Sequence, residues 1–525
     1  MNQRIVWATR YGVILAVAGS AIGLGNFLRF PGQAALYGGG AFIIAYLVAF
    51  VFLGLPIAWA EWTLGRYAGV RGYNSAAGIF RCVTGKRPMA YAGSFCVMLT
   101  TIISSYYIFV ESWCLAYALR YLFGWMPNSD FGQFFAEAVG LQGNGTLFQH
   151  GLLNFNILCL LFCLAFNYFL IYRGIVKGIE WFCSLALPAL LICALIIMVR
   201  VLTLGNPTGI PGQDIVNGLG CVWNPAQPDK TLFESLSNPE TWLAGAGQVF
   251  FSMSLGFGVI CTYASFSRHD DDIALSSLTA STANGFCEAV VAAMMIVPAA
   301  FIFLGPAFLT PENLGSSFSI GFQALPNVFE QMPMGRFFGF LFFFLLFLAA
   351  VTSSISTIQP SVTHLEEGLG LGRKSSLTIT AMITTFGALF TAYFTADLTA
   401  LDTMDFWVGN VLIFVMAGIQ IIIFGWVLGT EKGLTELTTG SQLRIPRFAG
   451  FVMKYVSPLY LIVVFVAWSL LNFSDRLSQI MSNNVVQLSL GFILFVTLFN
   501  VFVTSQALVR WEQRDRQSAE DEYNI

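Results

Sequence analysis

Residues 19–30 read GSAIGLGNFLRF. They overlap the end of an apolar stretch, YGVILAVAGSAIGLG, which covers residues 11–25. The stretch is apolar enough to cross a membrane, yet residues 19–30 contain three glycines together with Asn26 and Arg29. A helix that breaks at mid-membrane leaves backbone N–H and C=O groups unpaired, and each costs several kcal/mol in hydrocarbon. Such a break therefore survives only where something binds to it.

The composition of the whole chain is that of a membrane protein. Of its 525 residues, 56% are hydrophobic and only 10% are charged, whereas a soluble domain has roughly 25% charged residues. Most of the chain is therefore expected not to face water, and its partner is expected to be the lipid bilayer. The formal net charge of −3 argues against a nucleic-acid partner, which requires a basic surface.

Twelve segments have the composition of a bilayer-spanning helix, which needs about 20 apolar residues. They are residues 11–37, 41–66, 88–122, 153–172, 178–202, 241–267, 274–303, 337–368, 375–395, 399–428, 447–471 and 485–510. An even number places both termini on one side, and the opposite loops contain only Lys230, Arg336 and Arg476 as basic residues. The positive-inside rule then predicts a multi-pass protein of the cell (inner or plasma) membrane with both termini in the cytoplasm.

Two further segments do not resemble plain spans. Residues 304–336 are apolar but interrupted by proline and glycine, and we expect a folded outer loop of short helices. Residues 511–525 form a charged cytoplasmic tail, and their composition predicts disorder.

The sixth span carries a second interruption. It reads AGAGQVFFSMSLGFGVICTYASF over residues 244–266, with Ser252, Ser254, Gly256 and Gly258 at mid-depth. Spans 1 and 6 occupy the same place in two halves of five spans, and paired interrupted spans indicate the binding site of a transporter. The alternative is that these glycines allow close helix packing. The predicted units are residues 1–202 (spans 1–5), 203–428 (spans 6–10), 429–510 (spans 11–12) and the tail.

The two breaks predict what kind of ligand binds there. The N-terminal ends of half-helices attract anions and the C-terminal ends attract cations. Two broken helices side by side can therefore hold a zwitterion together with metal cations. An α-amino acid is such a zwitterion.

Five motifs of this chain resemble those of the neurotransmitter:sodium symporters, in particular the bacterial amino-acid transporters typified by LeuT. They are residues 7–31 (WATRYGVILAVAGSAIGLGNFLRFP), 105–113 (SYYIFVESW), 247–266 (GQVFFSMSLGFGVICTYASF), 352–360 (TSSISTIQP) and 404–410 (MDFWVGN). The resemblance implies an all-α integral membrane fold of about twelve spans. Its core is a LeuT-like 5+5 inverted repeat with spans 1 and 6 broken at mid-membrane, and two extra spans follow. It implies sodium-coupled symport and no enzymatic activity.

The resemblance also implies two sodium sites. The first consists of Ala21 (by its carbonyl), Asn26, Ser252 and Asn284, and the second of Gly19, Ile22 and Ala349 (by their carbonyls) with the hydroxyls of Thr352 and Ser353. All these ligands are neutral oxygens, which suit a hard cation. Alternatively, Asn26, Asn284 and Thr352 are polar residues of helix packing.

For the substrate, the resemblance implies a pocket at the two breaks. The carboxylate would lie on the amides of Leu24 and Gly25 and the Tyr107 hydroxyl, and the amino group on Phe251, Ser252 and Ser254. The side chain would lie among Ile103, Phe257, Ser353 and Thr357. Ile103 replaces a smaller valine of LeuT, and Thr357 replaces an isoleucine. Because the side-chain end has no charged residue, we expect a neutral amino acid and leave its identity open.

Charged residues on the outer and inner sides of the predicted substrate pocket resemble the two gates of the family. Arg29 and Asp405 match an outer gate joined through water, with a static ion pair as the alternative. Arg4, Trp7 and Glu367 match the inner gate, where Glu367 replaces a shorter aspartate. Glu61 matches a carboxylate that caps the amides freed by the break in span 6.

Glu288 lies four residues after Asn284, and therefore on the same helix face. A carboxylate at that depth is costly unless a cation lies nearby, and the first sodium site would supply one. In chloride-requiring family members the matching residue is a serine. We therefore expect no chloride requirement, an ionised Glu288 when sodium is bound, and proton uptake on the return step. The alternative is a permanently protonated structural carboxyl.

Three other functions compete with sodium-coupled symport as interpretations of this sequence. A membrane enzyme would need a catalytic cluster, whereas the three histidines, His150, His269 and His364, are scattered near span ends and loops. A channel fits poorly with paired breaks and a charged gate on each side. A transport-dead amino-acid sensor of the same fold remains open, because its binding site and gates would look the same.

Overall fold

The computed structural model describes residues 6–149, 154–225, 231–314 and 316–523, and in these ranges the chain is helical with no strand. The long helices confirm the expected all-α membrane fold. Their bounds are Gly40–Gly69, Arg87–Phe123, Phe155–Tyr172, Ile175–Leu202, Ile273–Leu304, Gly335–Leu369, Arg373–Tyr393, Ala396–Thr438, Arg447–Phe473 and Asn484–Tyr523 (spans 2–5 and 7–12), with Arg10–Ala21 and Gly25–Leu36 as span 1, and Pro239–Ser252 and Val259–Ala264 as span 6.

Span 1 consists of two helices that meet at an angle of 46°. The first helix ends at Ala21, and the N–H of Gly23 donates to the side-chain oxygen of Asn26 at 2.9 Å. At Gly25, a Cβ atom would lie 2.5 Å from the ring of Phe251. The close approach of the two broken spans therefore requires glycine at this position.

Span 6 is interrupted between Ser252 and Val259. Two glycines in the interruption have positive φ angles, 82° at Gly256 and 77° at Gly258, a conformation that disfavours any side chain. The freed N–H of Gly256 donates to Glu61 Oε1 at 2.6 Å, and Glu61 is buried. The expected capping by Glu61 is thus confirmed, and it satisfies a backbone group that lipid could not.

By length and composition, ten helices of the described ranges can cross a membrane, or eleven with the bent pair of span 1. The two helices of span 6 have 14 and 6 residues, so neither alone reaches the roughly 20 residues that a bilayer requires. The total of twelve spans therefore stays a prediction.

Short helices connect the spans. In residues 304–314 and 316–336 the chain forms short helices, as the sequence predicts. The short helices are Ala76–Thr84, Phe131–Val139, Thr146–Gln149, Ile215–Trp223, Leu232–Ser237, Pro306–Phe308, Pro311–Leu314, Ser317–Ser319, Ile320–Ala324 and Leu325–Gln331.

The prediction of a disordered tail from residue 511 is wrong, because the last helix continues to Tyr523. Asp515 accepts hydrogen bonds from Arg81 at 2.7 Å and from Tyr73 at 3.1 Å, and the Trp511 ring packs edge-on against Tyr73 at 5.7 Å. The composition suggested solvated charge. In the fold, these charges and the tryptophan contact the segment between spans 2 and 3 instead.

Candidate functional site

The ten residues predicted to bind substrate surround one cavity of about 70 Å³, at the point where the breaks of spans 1 and 6 face spans 3 and 8. They are Leu24, Gly25, Ile103, Tyr107, Phe251, Ser252, Ser254, Phe257, Ser353 and Thr357. The sequence interpretation missed Ser20, Gly23, Tyr106 and Gly409, which also line the cavity. Tyr106 adjoins Tyr107 in the motif SYYIFVESW, so the paired tyrosines were a signal that could have been used.

Hydroxyl groups from two spans converge on one carbonyl beside the cavity. The carbonyl of Ser20 in span 1 accepts from Ser254 Oγ at 3.2 Å and from Ser353 Oγ at 3.3 Å. Ser254 has a φ angle of 54°, which is uncommon for a residue with a side chain. The carbonyl of Ser20 therefore joins the two breaks to span 8. The N–H of Leu24, in the break of span 1, donates to the Tyr107 hydroxyl of span 3 at 3.3 Å.

The residues predicted for the first sodium site form a continuous polar chain. Asn26 Nδ2 donates to Asn284 Oδ1 at 2.8 Å, and Asn284 Nδ2 donates to Ser252 Oγ at 3.1 Å. The carbonyl of Ala21, the last residue of the first helix, accepts from the N–H of Gly23 at 2.9 Å. The three side chains come from spans 1, 7 and 6 and are buried. Their oxygens are of the type that a hard cation such as sodium prefers.

Glu288 continues this polar chain. It is fully buried, and its Oε1 accepts from Ser252 Oγ at 2.9 Å and from the hydroxyl of Tyr46. Its Oε2 accepts from Gln248 Nε2 at 2.8 Å. Among the described residues, no basic side chain forms an ion pair with Glu288. A carboxylate surrounded only by donors therefore adjoins the residues predicted to hold sodium.

The residues predicted for the second sodium site lie where span 1 packs on span 8. A Cβ atom on Gly19 would lie 3.2 Å from Thr352 Cβ, so glycine permits this close packing. The Thr352 hydroxyl donates to the carbonyl of Ala349 at 3.0 Å. Ile22 directly follows the end of the first helix. With the Ser353 hydroxyl, the set consists of neutral oxygen donors and suits sodium in the same way.

Both residues of the predicted outer gate line a vestibule of about 410 Å³, which shares Tyr107 and Phe251 with the smaller cavity. The Arg29 guanidinium lies over the Phe251 ring, 4.8 Å from its centre. No ion pair joins Arg29 to Asp405 in the part of the chain that the structure describes. The two charges thus face one space, and their connection through water stays a prediction.

Asp405 is held from two sides. Its Oδ1 accepts from the Tyr106 hydroxyl at 2.8 Å and its Oδ2 from Asn410 Nδ2 at 3.0 Å. A Cβ atom on Gly409 would lie 2.6 Å from Oδ1. Gly409 therefore leaves the space that this carboxylate occupies beside the cavity.

Of the residues predicted for the inner gate, the two that the structure describes each bond to other segments of the chain. Arg4 lies outside the described residues. Trp7 donates from Nε1 to the carbonyl of Tyr263 at 2.9 Å, at the end of span 6. Glu367 instead accepts from the N–H groups of Asn74 and Ser75, at 2.9 and 2.7 Å. Within the described ranges, no hydrogen bond joins Trp7 to Glu367, so the latch stays a prediction.

A helical membrane bundle with two interrupted spans that meet at a small cavity, lined by apolar and hydroxyl side chains, is the architecture of a secondary transporter. A family model described as "Sodium:neurotransmitter symporter family" matches residues 4–138 and 126–513. The chain therefore belongs to the sodium:neurotransmitter symporter family, a family of membrane transporters rather than enzymes.

Relatives and a solved structure agree with this assignment. An uncharacterized sodium-dependent transporter of Methanocaldococcus jannaschii is 28% identical over 88% of this chain and 90% of its own length. Another from Haemophilus influenzae is 27% identical over 89% of this chain and 98% of its own. The crystal structure of MhsT in complex with L-phenylalanine matches with a TM-score of 0.74 and 28% identity, over 88% of this chain and 99% of that chain. Sodium-coupled transport across a membrane is thus the function of the class.

Proposed function

We propose that this protein is a symporter that uses the sodium gradient to take up neutral L-amino acids by alternating access. The observation that carries the proposal is the single cavity between the two breaks, lined by all ten residues expected to bind an amino acid. The residues expected around the substrate side chain, Ile103, Phe257 and Thr357 among them, carry no charge. The amino acid in the MhsT complex, L-phenylalanine, is itself neutral in its side chain.

Two sodium ions are proposed to bind beside the substrate. In the first site, the substrate carboxylate would complete the shell of Ala21, Asn26, Ser252 and Asn284. Opposite charges about 4 Å apart attract by roughly 4 kcal/mol at an effective dielectric constant of 20. Each ligand would therefore bind poorly without the other, which is thermodynamic coupling between sodium and substrate. The second site would use Gly19, Ile22, Ala349, Thr352 and Ser353.

Chloride independence is the third part of the proposal. Glu288 adjoins the first site through Ser252, at 2.9 Å, and its other hydrogen-bond partners are donors. The carboxylate would supply the negative charge that balances sodium, so no external anion is needed. On the return step, with sodium released, it would take up a proton.

The gates complete the transport cycle. Arg29 of span 1 and Asp405 of span 10 both line the vestibule and would approach each other once substrate is bound. Trp7 and Glu367, together with Arg4, would close the other end. The protein is proposed to lie in the cell membrane with both termini in the cytoplasm. In this orientation the vestibule would open to the outside of the cell.

Uptake by purified protein in proteoliposomes tests the proposal. We expect accumulation of a labelled neutral amino acid under an inward sodium gradient, and no accumulation when potassium replaces sodium. Competition by a panel of twenty amino acids then identifies the preferred substrate. Sodium-dependent binding without accumulation would instead make the protein a transport-dead sensor, and uptake indifferent to sodium would contradict the proposal.

A further inference from the structure

Span 3 buries a second carboxylate, Glu111, one helical turn beyond Tyr107 of the cavity. Its side chain is 0% exposed. The carboxylate oxygens accept from Asn167 Nδ2 of span 4, at 2.9 and 3.1 Å, and Oε2 also accepts from the hydroxyl of Ser354 in span 8. In the described part of the chain no ion pair includes Glu111. The sodium and substrate sites leave this group without a role.

Ser354 belongs to span 8, the span that carries residues of both the proposed second sodium site and the cavity. It directly follows Ser353, and its carbonyl accepts from the Thr357 hydroxyl at 2.9 Å. Whereas the Thr352 hydroxyl bonds to Ala349 of its own helix, the Ser354 hydroxyl reaches across to another span. The contact with Glu111 therefore fixes span 8 against span 3 close to the hydroxyls of Thr352 and Ser353.

A hydrogen bond to a carboxylate is stronger than one between neutral groups, and the low dielectric of a buried site strengthens it further. We propose that Glu111 is a positioning residue: through Ser354 it fixes span 8 against span 3 and so presents the Ser353 hydroxyl to the second sodium ion. The inference rests on the proposed function, because it assumes that sodium binds there.

The side chain of Asn167 makes it possible to test whether Glu111 acts through its hydrogen bond to Ser354 or through its negative charge. Its Oδ1 is buried and has no hydrogen-bond partner among the described residues. In Glu111→Gln, the new Oε1 can accept from Ser354, and the new Nε2 can donate to Asn167 Oδ1 after the amide reorients. The contact to span 8 then survives without a carboxylate.

The test is a sodium titration of the full-length protein in lipid nanodiscs, with choline balancing the ionic strength. Bound sodium raises the thermal unfolding midpoint by mass action. Substrate is omitted, because the first site then lacks the carboxylate that completes it, so the titration reports the second site. The variants are Glu111→Ala, Glu111→Gln, Ser354→Ala and the double alanine variant. The control is Ser112→Ala, whose hydroxyl bonds to Phe109 of its own helix at 2.6 Å.

We expect Glu111→Ala and Ser354→Ala each to raise the half-saturating sodium concentration about tenfold, as expected for one lost charge-assisted hydrogen bond. The double variant should be no weaker than either single variant, because both remove the same contact. Glu111→Gln should stay within about threefold of wild type, and Ser112→Ala should match wild type.

Other outcomes overturn the inference. Independent, additive losses would mean that Glu111 does not act through Ser354. A Glu111→Gln variant as weak as Glu111→Ala would assign the effect to the charge instead. If Glu111→Ala fails to fold, Ser354→Ala and Glu111→Gln still decide, and an unchanged sodium response in Ser354→Ala refutes the inference alone. A wild type without any sodium response would instead contradict the proposed function.

Discussion

The side-chain amide of Asn26 donates a hydrogen bond of 2.8 Å to Oδ1 of Asn284, and so joins the break of span 1 to span 7. Oδ1 of Asn26 meanwhile accepts from the N–H of Gly23, inside the break itself. One side chain therefore supports the irregular backbone and faces the residues proposed for the first sodium site.

Replacing Asn26 by alanine or leucine should weaken sodium and substrate binding together, each by about tenfold, because one shared oxygen ligand is lost. Equilibrium binding of labelled substrate at several sodium concentrations measures both effects. The control is Asn500→Ala, since Asn500 is buried in span 12 and bonds to Val496 of its own helix at 2.9 Å. A loss of substrate affinity with an unchanged sodium dependence would show that the two ligands do not share this residue.

Replacing Asp405 by alanine should impair transport more than binding. The vestibule would still admit substrate, but Arg29 would lose the partner with which it is proposed to close. We expect at least a tenfold loss of uptake rate and no more than a threefold change in affinity, roughly what a gating contact contributes. Uptake and equilibrium binding are compared, with Asp402→Ala in the same vestibule as the control. Lost binding with normal occlusion would make Asp405 a direct ligand instead.

Thr357 should control which side chains the cavity accepts. Thr357→Ile removes the hydroxyl that donates to the Ser354 carbonyl and makes this wall apolar. Because one methylene in an apolar pocket changes affinity by about 1–3 kcal/mol, we expect branched aliphatic amino acids to gain by about tenfold over polar ones. A competition profile against a labelled substrate measures this preference. If the profile does not change, Thr357 does not contact the substrate side chain.

The ion pair between Arg10 and Asp272, at 3.4 Å, should make stability depend on pH. Partial burial opposes the charge of Asp272, but hydrogen bonds from the N–H groups of Gln442 and Leu275, with the Arg10 charge, hold its pKa below the usual range. A group with a lowered folded pKa stabilises fully above its unfolded pKa, about 3.9, and loses that contribution as the pH falls through the lower folded value.

Asp272→Asn, which keeps a side chain able to cap span 7, should therefore cost about 0.5–1 kcal/mol at neutral pH. At pH values below the folded pKa, wild type and variant should have the same unfolding midpoint. Thermal unfolding at about pH 7 and at a pH below the folded pKa of Asp272 measures the difference. An equal difference in unfolding midpoint between wild type and variant at both pH values would mean that Asp272 stabilises the fold without its charge.

The sequence predicted the spans well because long apolar runs leave few alternatives to a membrane helix. It also indicated both breaks, since glycine and polar residues at mid-depth are costly without a purpose. The residues around the cavity followed from resemblance to a family. Spacing alone does not show, for example, that Gly25 must leave room for the ring of Phe251.

Contacts between distant segments could not be predicted in this way. Glu111 contacts Asn167 and Ser354, which lie 56 and 243 residues away in the chain. The tail was misread for the same reason: Asp515 pairs with Arg81, 434 residues away. Composition describes how a segment behaves in water, whereas these charges meet partners that only the folded chain brings to them.

The last prediction concerns Glu288, which is fully buried and accepts from Ser252, Gln248 and Tyr46. If its carboxylate balances the charge of the first sodium ion, transport by the wild type should not change when gluconate replaces chloride. In Glu288→Ser, the donors remain and the negative charge is lost. A small anion could then occupy the vacated place, because hydroxyl and amide donors stabilise an anion in a dry site.

We therefore expect Glu288→Ser to be weakly active in gluconate and to recover by about tenfold or more when chloride is added, as one restored charge at close range allows. Sodium-driven uptake into proteoliposomes, in chloride and in gluconate, measures the response. Glu288→Gln is the matched control, because its side chain fills the place and should leave no room for the anion. A wild type that loses uptake in gluconate would refute the assignment. So would a serine variant equally active in both media, because the carboxylate would then be a structural hydrogen-bond acceptor without a role in charge balance.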